Sequence, residues 1–168
     1  MSLTMSQASI PTFTRMLNSL SAILDKGAAH AKSNGGDAAA LLEARLAPDM
    51  FPLVKQVQIA TDHAKGATAR LSGREPPKFE DTEASFDDLK ARIRKTLDFV
   101  ASVPAAEIDG SEEKPITLTI GGNPMSFTGR VYLLHFALPN LYFHITTAYD
   151  ILRHKGVPLG KRDFIGSA

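Results

Sequence analysis

The residues in this chain best placed to do chemistry are Asn140 and His144, four positions apart, and His63 far upstream. On a helix, a spacing of four puts two side chains on one face. A metal ion needs two or three good donors converging within about 2.0 to 2.3 Å, and His63 on a second helix is available as the third. Gln56, seven residues before His63, lies on the same side of that helix. Both fall roughly a third of a turn off the helix's apolar stripe, and an amide oxygen is a poor transition-metal ligand beside imidazole. The same residues have a plainer reading, in which His144 is a buried histidine satisfied by a carbonyl or by Asn140 and Thr147, and His63 is an exposed surface residue.

Other constellations are weaker. His135 shares a stripe with Tyr142 and Tyr149, whose hydroxyls want partners when buried, so a structural His–Tyr hydrogen bond is expected there. His30 and His154 lie in the last turns of their helices, where a cation interacts favourably with the dipole. Asp49 reads as a helix cap, and Glu80, Asp81 and Glu83 as a solvated loop. Gly121-Gly-Asn joins strand to strand and is too short for a phosphate loop, and no serine has the strand–turn–helix setting of a hydrolase nucleophile.

The elements that must position these residues are mostly helices. Ile10, Phe13, Leu17, Leu20 and Leu24 recur at three- and four-residue steps, predicting a helix from about 5 to 32, with Ser33-Asn-Gly-Gly-Asp37 to end it. If that helix begins at Met5, Pro11 falls inside it and a kink is expected. After one or two short turns between Ala38 and Arg45, a second long helix is predicted from about Met50 to Leu71, capped by Asp49. Pro76-Pro77 marks an extended loop, and a third helix runs from after Ser85 to about Val103. Ile116 to Ile120 alternates apolar and β-branched polar residues, Gly121-Gly-Asn turns, and Pro124 to Thr128 returns, which predicts a β-hairpin lying on the helices. The last helix, from about Gly129 to Lys155, carries Val131, Leu133, Leu134, Phe136, Leu141, Phe143, Ile145, Ile151 and Leu152 on every side, and Leu134 and Leu141 are placed in the core. A helix apolar all round is buried all round, so a face of it must be covered by the tail, the hairpin or a second chain. The tail Lys161-Arg-Asp-Phe-Ile165 is expected to dock back.

Composition narrows the function classes. At 168 residues a single domain spanning 1–168 with one core suffices. Nineteen Lys plus Arg against 18 Asp plus Glu make a net charge of +1, too small to collect nucleic acid or an anionic membrane. The absence of cysteine removes disulfides, thiolate metal sites and protein thiol nucleophiles, so any metal must be held by His, Asp, Glu, Asn or Gln. The first residues have no basic region followed by an apolar run, and a cytoplasmic protein is expected.

Four segments taken together resemble a known group. Leu46-Ala-Pro-Asp-Met-Phe-Pro-Leu53, Gln56-Val-Gln-Ile59, Pro76-Pro-Lys-Phe-Glu-Asp81 and the long run from Pro139 to Gly160 are similar to an uncharacterised bacterial domain branch of the DinB/YfiT-like superfamily. The resemblance covers essentially the whole chain. It implies an all-α, up-down four-helix bundle with a small β-hairpin before the last helix, usually a homodimer. It also implies a divalent metal, zinc or nickel, held by three histidines, one on the second helix and two four residues apart on the last. Asn140 stands here where one of that last pair would be, leaving His63, Asn140 and His144 as the ligand set. The activity implied is a metal-dependent thiol transferase or hydrolase acting on a small molecule. The missing imidazole favours the alternative of a non-catalytic dimer that binds a small molecule or a partner at a degenerate metal site.

Overall fold

Phe13, Leu17, Leu20 and Leu24 lie wholly buried along α1 (Met5–Ser33), the first element of a computed structural model that describes residues 3–33 and 37–166. Pro11 is inside this helix, and the expected glycine end at Asn34 to Gly36 lies outside the described residues. Asp37 caps the short α2 (Ala38–Leu42), its carboxylate accepting from the Ala39 amide at 2.8 Å.

Helix α3 (Leu53–Ser72) starts three residues later than expected, and Asp49 is not its cap. Pro52 occupies the cap position instead, and proline disfavours helical geometry in the residue before it, which keeps Met50 and Phe51 out of the helix. Gly73, at φ 83°, ends α3, with its own amide on the Arg70 carbonyl and the next amide, that of Arg74, on the Ala69 carbonyl. Helix α4 (Phe86–Ser102) begins at Ser85, whose hydroxyl accepts from the Asp88 amide. A further short helix, α5 (Ala105–Ile108), follows Pro104.

The hairpin forms as expected. Strands β1 (Pro115–Ile120) and β2 (Asn123–Thr128) run antiparallel with Ile120 opposite Asn123. That register leaves Gly121 and Gly122 as a two-residue turn with φ 57° and 83°, backbone that glycine adopts without penalty.

The last long helix has a feature the periodicity does not announce. It consists of α6 (Gly129–Tyr132) and α7 (Leu138–His154) joined by a π-helical turn over Leu133–Ala137. Leu133, Ala137, Leu141, Ile145, Ala148 and Leu152 take the inward positions and are essentially unexposed. Leu134, expected in the core, is one step further round the helix and 43% exposed. Val131, Tyr142 and Phe143 are also exposed.

Helices α1, α3, α4 and α7 form the four-helix bundle, with α3 packed between α4 and α7, and α1 against both α4 and α7. The tail forms α8 (Lys161–Ile165) and docks on α1 through Lys26–Asp163 at 2.7 Å, with Phe164 edge-on to Tyr149. No helix among the described residues is long and apolar enough to cross a membrane.

The acids of the α3–α4 connection divide: Glu80 and Asp81 are exposed, as expected of a solvated loop, while Glu83 is half-buried. Arg92 on α4, only 4% exposed, donates to Thr61 at 2.7 Å, Asp62 at 2.8 Å, Glu83 at 3.0 Å and the Glu80 carbonyl at 3.1 Å, with Asp81 3.1 Å away. A buried guanidinium needs paired charge and filled donors, and the connection is folded inward to supply them.

Candidate functional site

His144 is 9% exposed and faces α3, where its Nδ1 lies 2.7 Å from Oε1 of Gln56. Gln56 is itself buried, and its Nε2 donates to the Phe51 carbonyl at 3.0 Å. Because that carbonyl can only accept, the amide nitrogen must point to it and the amide oxygen to His144. Nδ1 of His144 therefore carries the proton, and Nε2 keeps its lone pair. This is the arrangement by which outer groups orient histidines that ligate metals.

His63, about two turns along the same side of α3 from Gln56, brings its ring centre to 6.0 Å from that of His144, with the planes 14° apart. Phe136, in the π-helical turn, meets His63 edge-on at 5.5 Å, and Phe143 meets His144 edge-on at 5.2 Å. Burial, reinforced by neighbouring His144 and by Arg70 and opposed by Asp62, pushes the His63 imidazole down to about 4. Burial also lowers His144 below the usual histidine range. Both rings are thus neutral near pH 7, and no proton competes for their lone pairs.

The expected ligand set is only partly assembled. Asn140 spends its amide nitrogen on the Phe136 carbonyl one turn back, at 2.7 Å, which leaves the amide oxygen as its donor. The partner of His144 is Gln56 rather than Asn140 or Thr147, and Thr147 bonds the Phe143 carbonyl. An ion held at 2.0 to 2.1 Å by two imidazoles in tetrahedral geometry sets ring centres roughly 5 Å apart and lies in both ring planes, so the two stacked rings would have to turn as well as approach to share a metal. Among the described residues no cluster of three His, Cys, Asp or Glu side chains is placed to hold an ion, and a third ligand for any metal would have to come from Asn140, from water or from a bound molecule. The expected His135–Tyr bond is absent among the described residues, since His135 and Tyr142 are exposed.

Beside His63 a cleft of about 340 Å³ opens between α3, the hairpin and the last helix, lined by Asp62, His63, Arg70, Leu118, Tyr132 and Phe136 among others. Nη1 of Arg70 donates to the Tyr132 hydroxyl at 3.2 Å. Sequence reasoning did not single out these two residues. The one available signal was Gly66, four positions before Arg70: a long helical side chain leans over the preceding turn, and a Cβ at Gly66 would collide with the guanidinium.

Helix bundle and hairpin agree with what the chain is similar to. The family described as a domain of unknown function (DUF1993) matches residues 5–165, and the chain belongs to it. A solved structure of a DinB family member from Shewanella denitrificans is 39% identical over 97% of this chain and 92% of that one, with a TM-score of 0.87. No curated protein matches the chain. The protein is therefore a DinB-like bundle, as the sequence resemblance implied.

Proposed function

We propose that His63 and His144 bind a divalent transition metal, zinc or nickel, with Asn140 as a weaker third ligand, and that the adjoining cleft holds a small-molecule substrate for metal-dependent transfer or hydrolysis. The observation that carries this reading is the Phe51–Gln56–His144 chain of hydrogen bonds, which leaves one imidazole nitrogen unprotonated beside a second neutral imidazole. A buried histidine kept only for packing would pair its N–H in the same way, so it is the second neutral imidazole alongside that favours the metal. Because the chain has no cysteine, any thiol in the reaction belongs to the substrate. A bound ion would supply Lewis acidity there, while Phe136 and Phe143 limit water around the pair.

The test is calorimetric titration of zinc, nickel and manganese into chelator-treated protein, alongside His144→Leu and His63→Leu. The wild type should bind zinc or nickel at one site per chain, and either substitution should abolish this while leaving the helical signal intact. Equal, negligible binding by all three proteins would remove the metal. The second reading would then stand: a non-catalytic protein using the same cleft for binding, favoured by the lack of a third imidazole or carboxylate at the pair.

The partner we propose is a second copy of the chain. Val131, Leu134 and Tyr142, each at least 40% exposed, succeed one another at helical steps with half-buried Leu138 along the last helix, an apolar strip of the kind that closes a two-fold interface.

A further inference from the structure

In the cleft beside His63, one charge has no counter-charge. The carboxylates of Asp62, Asp81 and Glu83 are taken up by Arg92, Lys65 and Lys55, at 2.6 to 3.1 Å. Arg70 is half-buried on the wall of the cleft and has no carboxylate within 4 Å among the described residues. Its bond there is Nη1 to the Tyr132 hydroxyl, which uses one of five guanidinium N–H groups. A half-buried guanidinium with a single neutral partner is a costly arrangement unless something else fills its donors.

Tyr132 adds a second free donor. Its hydroxyl accepts from Arg70, and no acceptor for its own proton appears among the described residues. Burial, only partly offset by Arg70, raises this phenol above its usual range, so the proton stays on. The rest of the wall is mixed: Leu118 and Ile120 from the hairpin and Phe136 from the π-helical turn give it an apolar side, beside Asp62, His63, Thr117 and Thr119. Room for the guanidinium is built in, since Gly66 carries no Cβ where the side chain folds back over the helix.

We propose that Arg70 and Tyr132 form the anion-binding end of this cleft and receive the carboxylate of a small molecule whose apolar body lies against Leu118, Ile120 and Phe136. A planar carboxylate suits the remaining parallel N–H groups of a guanidinium, and Tyr132 donates to its second lone-pair site. The volume of about 340 Å³ sits at the small end of ligand pockets, which matches a metabolite of modest size rather than a peptide or nucleotide. This inference deepens the proposed function and rests on the cleft being the ligand site, but it does not require a metal at the histidine pair.

The experiment follows amide and methyl resonances of metal-free protein during titration with hexanoate, with hexanamide as the neutral isostere and inorganic phosphate as an alternative anion. Hexanoate should shift signals from the hairpin, Gly66 and Phe136 saturably, and hexanamide should not. Arg70→Gln should weaken hexanoate binding about tenfold or more with an unchanged thermal transition, as loss of a charge-assisted contact predicts. Arg70→Lys should retain part of the affinity, and Tyr132→Phe should lose less than Arg70→Gln. The titrated protein is metal-free, so a failed metal site leaves this result standing. No saturable shift, equal affinity for hexanamide, tighter binding of phosphate, or undiminished binding by Arg70→Gln would each overturn the proposal.

Discussion

At the scale of single residues, the site depends on two imidazoles kept neutral and one amide that fixes a tautomer. His63, held at about 4 against an ordinary 6.5, takes up its proton in the unfolded chain before it does so in the folded one. Between those values the unfolded state binds more protons, so stability rises with pH across that window and is lost as pH falls through it. The contribution is on the order of 3 kcal/mol. Urea unfolding from pH 4 to 7 should show this slope, and His63→Phe should flatten it; an unchanged slope in the variant would mean that other groups carry it. Gln56→Leu should cost about 1 to 3 kcal/mol by stranding the His144 N–H, whereas Gln56→Leu combined with His144→Leu should recover most of that loss. A double variant worse than the sum of the singles would contradict the pairing. The approach of His63 to His144 was legible from residue type and helix spacing together with the family resemblance, whereas Asn140 bonds within its own helix. The inward turn of Gln56 was not, because it lies off the apolar stripe and its burial depends on His144 reaching it from another helix.

At the scale of elements, most boundaries follow from local chemistry: Ser85 and Asp88 at the start of α4, Gly73 at the end of α3, and the two glycines of the hairpin. The π-helical turn and the Arg92 clasp have no such local signature. An apolar run on every side of the last helix hides which residue is the extra one, and a charged residue on α4 looks solvated until the Pro76–Ser85 connection is folded over it. Leu141→Ala should therefore cost about 2 to 5 kcal/mol as a core cavity, while Leu134→Ala, one step round the helix, should cost under about 1 kcal/mol in the isolated chain. Denaturation that reverses this order would place the π turn wrongly. Arg92→Leu should cost about 3 to 5 kcal/mol, because it leaves Asp62 and Glu83 without their shared cation. An effect below about 1 kcal/mol would show the clasp to be an ordinary surface network.

At the scale of the whole molecule, the aliphatic composition and helical periodicity lead directly to a four-helix bundle, and the family match agrees. The excess apolar surface of the last helix was equally visible, and in the single chain Val131, Leu134, Tyr142 and Phe143 remain exposed. Sedimentation at micromolar concentration should give a dimer, and Leu134→Asp should give a folded monomer; a monomeric wild type would refute the pairing. The function turns on whether the bundle brings its two buried histidines to one ion. Crystals grown with zinc, measured on both sides of the zinc absorption edge, test that most directly. The account predicts an anomalous peak about 2.0 to 2.1 Å from Nε2 of His144 and from a ring nitrogen of His63. A fully occupied zinc on exposed histidines such as His135 or His154, with none at the His63–His144 pair, would contradict it.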